Sequence, residues 1–149
     1  MNAATAPNFS DLLDKPLDEV ERPKPLPQGS YLCVVKGLPR QDKSRQKQTP
    51  FLEFLLQPVQ ALEDVDQDEL EEMGGLENKT IKATYYITED AMWRLKKFFE
   101  DCGIETAGKT SMQSAEETVN KSVIAVLRHE ASQDGTAVFA RIADTALAA

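Results

Sequence analysis

TIKATYYI, Thr80–Ile87, runs directly into TEDAMWRLKKFFEDC, Thr88–Cys102. The period of the apolar residues changes at that junction. In the first stretch Ile81, Ala83, Tyr85 and Ile87 alternate with Lys82, Thr84 and Tyr86, the period of a half-buried strand. In the second, Ala91, Leu95, Phe98 and Cys102 fall at helical spacing, with Met92 and Phe99 beside them. Thr88 is expected to cap this helix, with Glu89 and Asp90 in the first turn, where the helix dipole favours negative charge. Gly103 ends it. Trp93 sits at the edge of the apolar stripe and is expected to pack there rather than offer a surface to bases.

Upstream, SYLCVVKG (Ser30–Gly37) is a β-branched and aromatic run, predicting a first strand. Pro39–Pro50 is polar and without apolar period, predicting a loop. FLEFLLQ (Phe51–Gln57) predicts a second strand, with Leu52, Phe54 and Leu56 on one face. Pro58 is expected to end it, because proline cannot donate to a ladder. Downstream, Ser111–Val119 predicts a short second helix. SVIAVLRHE (Ser122–Glu130), a turn at Ser132–Gly135 and Ala137–Ile142 predict a closing hairpin.

The chain order is therefore β-β-β-α-β-β, mainly β with one principal helix. That is the order of an OB-fold, a five-stranded, partly open barrel whose helix plugs one end. An α+β sheet with a packed helix is the alternative. The domain spans residues 29–144. Residues 1–28 hold five of the eight prolines, predicting a flexible arm, with a helical turn at Ser10–Leu13. Residues 145–149 read as a short tail.

A formal charge of −8 is by itself adverse to nucleic acid, but its location decides what it means. Val59–Asn78 contains eight acidic residues and no Lys or Arg. Without it the chain carries 17 acidic and 17 basic residues. The acidity belongs to an insertion, 59–78, between predicted strands two and three. It holds a predicted helix capped by Asp66 with Glu69 at the third position, running to Met73 and stopping at Gly74-Gly75.

OB-folds take ligands on the face of strands two and three and with the flanking loops. Here the first loop is the most basic stretch, with Lys36, Arg40, Lys43, Arg45 and Lys47 against Asp42. Cations on a flexible loop suit phosphates, because binding releases condensed counterions. The strand faces opposite the core add Phe51, Lys82 and Tyr86, and the hairpin adds Arg128, Phe139 and Arg141. Aromatic rings beside cations are what stacking on unpaired bases requires. These eleven residues are the candidate single-stranded DNA site. Phe51 and Tyr86 could equally lie under the arm or the insertion, and Arg128 and Arg141 could simply face each other across the hairpin.

Other chemistries find little support. One histidine, His129, with no nucleophile motif makes no triad. No phosphate-loop or dinucleotide motif occurs, and no Cys/His spacing suggests zinc. No enzyme activity, cofactor or metal is expected. Cys33 and Cys102 read as buried free thiols, which suits a reducing cytoplasm. No apolar run reaches the length of a membrane span, and Met1–Phe9 lacks the features of a signal peptide. The competing reading is a protein-interaction module using the acidic helix and the proline-rich arm. A DNA mimic, resting on the acidic run, is a third.

LPQGSY (Leu26–Tyr31), QKQTPFLEF (Gln46–Phe54), YYITEDAMWRL (Tyr85–Leu95), FFEDCG (Phe98–Gly103), HEASQDG (His129–Gly135) and ARI (Ala140–Ile142) together resemble a family of small phage and prophage proteins. Some members are regarded as single-stranded DNA-binding proteins encoded near replication and recombination functions. The resemblance covers roughly residues 26–142 and consists of core and turn positions. It implies a fold, a bacterial cytoplasmic setting, and a recombinase or replication protein as partner, and it leaves a homo-oligomer open. One departure is the ending, Asp144–Ala149, with a single acid instead of an acidic, hydrophobic-tipped tail. The internal acidic segment is expected to substitute, competing with DNA for the basic loop.

Overall fold

The computed structural model describes residues 13, 14, 16, 17 and 24–148. The expected arm and its turn at Ser10–Leu13 fall largely outside them. Six strands are present: β1 Gly29–Val35, β2 Arg40–Lys43, β3 Pro50–Ala61, β4 Ile81–Tyr86, β5 Ser122–Ala131 and β6 Val138–Leu147. Three helices join them: α1 Gln67–Glu72, α2 Met92–Asp101 and α3 Ser111–Glu117. All strand pairs are antiparallel. The sheet runs β2-β3-β1-β5-β6, and β4 pairs with the other edge of β3. β4 and β6 form no ladder, so the sheet is open and does not close into a barrel.

Alternation sorts each strand onto one inner face. Tyr31, Cys33 and Val35 of β1, Leu52, Phe54 and Leu56 of β3, Ile81 and Ala83 of β4, and Val123, Ala125 and Leu127 of β5 are buried. α2 lays Leu95, Phe98 and Phe99 on this face. The Phe98 ring sits 4.7 Å from Phe54 and 5.0 Å from Tyr85, centroid to centroid. The Thr88 hydroxyl accepts from the Ala91 amide at 3.2 Å and so caps the leading turn, not the helix itself, whose N-cap is Ala91 with no side-chain cap bond. The regular helix begins only at Met92, after a turn over 89–91. Asp66 caps α1 by accepting from Glu69 N–H. Thr110 and Gln113 form a reciprocal capping box on α3.

Four expectations are corrected. The polar stretch 39–50 contains β2, whose residues are all exposed and which pairs with Pro50–Glu53 of β3. An edge strand that buries no side chain needs no apolar period. Pro58 does not end β3. It lies opposite Cys33 at a bulge, where the register with β1 shifts, and a bulge tolerates a residue that cannot donate. The fold also engages the chain before Gly29. Leu26 and Pro27 are buried, the Tyr31 hydroxyl donates to Pro27 O at 2.7 Å, and His129 N–H donates to Gln28 Oε1. Finally, the expected tail is the end of β6. Thr145 is 5% exposed, and its hydroxyl donates to Asp101 Oδ2 at 2.5 Å.

The acidic segment is fastened to the start of β1. Ser30 donates from its amide and its hydroxyl to the Asp64 carboxylate, both at 2.8 Å. These two bonds, amide first, hold the Asp64 carboxyl below its usual range, with the charge of Arg128 adding to them. Val65 is buried against Gly29. A Cβ on Gly29 would lie 2.6 Å from Val65 Cγ2 and 2.9 Å from Asp64 O, and φ there is +134°. Only glycine allows that approach. No helix among the described residues is long and apolar enough to cross a membrane.

Two outcomes follow from this packing. Thr145→Val should lower the free energy of urea unfolding by about 1–2 kcal/mol, since Asp101 loses a buried donor; a loose tail would show no change. Burial pushes the Cys33 and Cys102 thiols up to about 12. Neither should therefore react with a disulfide reagent at pH 8 until urea opens the fold, and rapid labelling of the native protein would contradict this packing.

Candidate nucleic-acid interface

Where β4 and β6 fail to pair, a cleft of about 710 Å³ opens. Its walls are the facing strand edges, and α2 lines it from below. β4 contributes Lys82 and Tyr86 from its outer face, and β6 contributes Phe139 and Arg141. Four of the eleven candidate residues, distant in sequence, therefore meet in one concavity. Tyr86 and Phe139 are each 44% exposed.

The register extends this surface across the outer face of the sheet. Phe51 is the cross-strand partner of Tyr86, their rings edge-to-face at 5.9 Å. The Arg40 guanidinium lies over the Phe51 ring at 5.3 Å. Lys36 follows β1, its amide donating to Leu55 O, and Leu55 faces Lys82 across the ladder. A strip thus runs from Arg40 through Phe51 and Tyr86 into the cleft and on to Phe139.

The other candidates stand apart. Lys43 is opposite Pro50, one residue out of phase with Phe51, so it projects to the other side of the sheet. Arg45 and Lys47 occupy the exposed tip joining β2 to β3. Arg128 is the direct partner of Arg141, placing two like charges side by side.

Several cations are already engaged. Arg40 pairs with Asp42 and, at 3.3 Å, with Glu53. Arg141 pairs with Glu130 at 2.6 Å. Lys97, in the cleft, pairs with Asp101 at 2.7 Å and Asp144 at 3.0 Å and donates to Thr145 O at 2.6 Å. The Asp101 bond chiefly raises the Lys97 ammonium pKa. The Lys97 ammonium likewise lowers the Asp144 carboxyl. Lys97 is thus a structural tie. Among the described residues Lys36, Lys82, Arg94 and Arg128 make no ion pair within 4 Å and keep their charge for a ligand.

Two contributors were missed in the sequence. Trp93, expected to pack, is 60% exposed at the cleft. Arg94 lies beside it, its guanidinium 5.3 Å from the indole. The signal was present in the helical wheel: Trp93 falls on the side of α2 away from the buried Leu95, Phe98 and Phe99, and Arg94 flanks that stripe. The expected contest between the acidic helix and the basic loop meets a geometric obstacle. Asp64 and Val65 pack at Gly29 and Ser30, the start of β1, whereas the loop leaves its far end. Seven residues of strand put roughly 20 Å between them. No group of three or more His, Cys, Asp or Glu among the described residues is placed to hold a metal ion.

Trp93 is the only tryptophan, so it reports the local field without any ligand. Iodide should quench its fluorescence about twofold more efficiently than caesium at low salt, because Lys82, Arg94 and the neighbouring Lys96 concentrate anions. The difference should collapse near 0.5 M salt. Equal quenching at low salt would mean that the cleft carries no positive field. No protein-family model matches the chain, and no curated protein sequence matches it.

Proposed function

We propose that this protein binds single-stranded DNA without base specificity, in an OB-type arrangement whose unclosed seam is the binding groove. The observation that carries the reading is the convergence of Tyr86, Trp93 and Phe139 with Lys82 and Arg94 in one cleft. Rings give stacking surfaces that every base can use, and free cations beside them meet the backbone. The OB reading is supported by the pairings β1–β3, β3–β4, β1–β5 and β5–β6, with the helix between β4 and β5. β1 and β2 both run along β3, as one bent first strand would, so six strands fit a five-strand plan. The resemblance to phage and prophage proteins fits a role in replication or recombination in a bacterial cytoplasm.

The test is fluorescence anisotropy of a labelled 30-nucleotide oligo-dT, with duplex of equal length beside it. Single strand should bind and duplex should not. Contact by three or four cations predicts a slope of log affinity against log salt of about −2 to −3. Tyr86→Ala, Trp93→Ala and Phe139→Ala should each weaken binding by about 1–3 kcal/mol. Absence of binding at low salt, equal binding to duplex, or three unaffected alanine variants would each overturn the reading. A salt-insensitive interaction with a protein would favour the interaction-module alternative.

A further inference from the structure

We infer that a second hollow, between α2 and α3, accepts a single nucleobase from the strand held in the cleft; the inference rests on the nucleic-acid reading above. The hollow measures about 380 Å³, within the range of small-molecule sites. Met92, Leu95 and Phe99 give it apolar walls. Trp93 lines both it and the cleft, so the two spaces share one aromatic wall. A strand stacked along Tyr86 and Trp93 can turn one base over the indole into the hollow.

Ser114 makes the hollow more than an apolar dent. It lines the space and is 1% exposed, yet its hydroxyl has no hydrogen-bond partner among the described residues. A buried hydroxyl normally finds one. A serine within a helix usually turns back to the carbonyl four residues earlier. Here Thr110 O accepts from the Ser114 amide, and the hydroxyl makes no such bond. It can donate to or accept from a base edge. Two cations flank the hollow. Lys109 is held by Glu117 at 2.8 Å, whereas Lys96 is exposed and makes no ion pair among the described residues. Apolar faces, a polar group at depth and a free cation beside them match a nucleobase with its attached phosphate. An extended apolar peptide would leave the Ser114 hydroxyl and the cation unused.

The experiment uses Trp93 fluorescence of the full chain, titrated with thymidine and deoxyadenosine 5′-monophosphates. Saturable quenching is expected with at least one of them. Ala107→Phe, at an exposed position lining the hollow, should abolish it. Ser114→Ala should weaken it several-fold. Quenching that does not saturate, or that survives Ala107→Phe, would overturn the inference, since the nucleotide would then sit elsewhere. In the oligo-dT assay Ala107→Phe should bind about tenfold more weakly than wild type but still bind. If wild type fails to bind oligo-dT, the proposed interface falls, and the mononucleotide titration still decides the hollow by itself.

Discussion

The position of α2 depends on one wedge, Phe98 between Phe54 and Tyr85, and the rest of the molecule depends on α2. The helix stands where a β4–β6 ladder would have closed the sheet. It is fixed to β4 by aromatic contact and to β6 by polar contact. Lys97 donates to Thr145 O and Thr145 donates to Asp101. Burying one large apolar side chain contributes about 1.5–3 kcal/mol, whereas one net hydrogen bond contributes about 0.5–1.5 kcal/mol. Leu95, Phe98 and Phe99 together therefore outweigh the few ladder bonds that closure would add. The open seam is the stable arrangement, and the cleft follows from it.

An open seam leaves two strand edges uncovered, which invites pairing with another chain. The charges along the seam oppose that. Lys82 on β4, and Arg141 and Asp144 on β6, flank the free edges. A bulge between Val126 and Leu127 interrupts the β6 register midway. The same residues that discourage a foreign strand give the concavity charged walls. Tyr86, Trp93 and Phe139 nonetheless remain exposed there. A cluster of large apolar side chains at a cleft supports the proposal of a binding surface there.

The inner face of the fold was legible in the sequence because burial imposes a period. Ile81, Ala83 and Tyr85, and Leu52, Phe54 and Leu56, alternate as strands that bury one side. Leu95, Phe98 and Cys102 repeat as a helix does. β2 was not legible, because Arg40–Lys43 joins the sheet at its exposed edge and contributes nothing to the core. The continuation of β3 through Pro58 depends on a bulge, which is set by the partner strand and not by the residues of β3 alone. The end of β6 was hidden for another reason. Thr145 is held by Asp101, a partner 44 residues away, and a small-residue ending carries no local sign of that. Part of the candidate site was legible as residue types. That Lys82, Tyr86, Phe139 and Arg141 meet, while Lys43 projects away from Phe51, is information held in the register. Trp93 was misplaced because its large apolar ring was weighed above its place on the wheel, which lies away from Leu95, Phe98 and Phe99.

A net charge of −8 would ordinarily repel a polyanion, and the separation of charges along β1 answers the objection quantitatively. The acidic segment is pinned at Ser30 through Asp64, and the basic turn leaves the opposite end of the strand. The separation of roughly 20 Å exceeds twice the Debye length of about 8 Å at physiological ionic strength. Screening therefore reduces the influence of the acidic helix at the basic turn to a small remainder. On the proposed reading, what a DNA strand would meet at close range is set by the near charges: Lys36, Lys82 and Arg94 without an ion pair among the described residues, and Arg40 and Arg141 shared with carboxylates. The pairing matters more than the net count. Releasing Arg141 from Glu130 to a phosphate exchanges one ion pair for another, so it adds little affinity. A free cation such as Lys82 gains a partner outright. The contribution of each basic residue to binding is thus governed by whether a carboxylate already holds it.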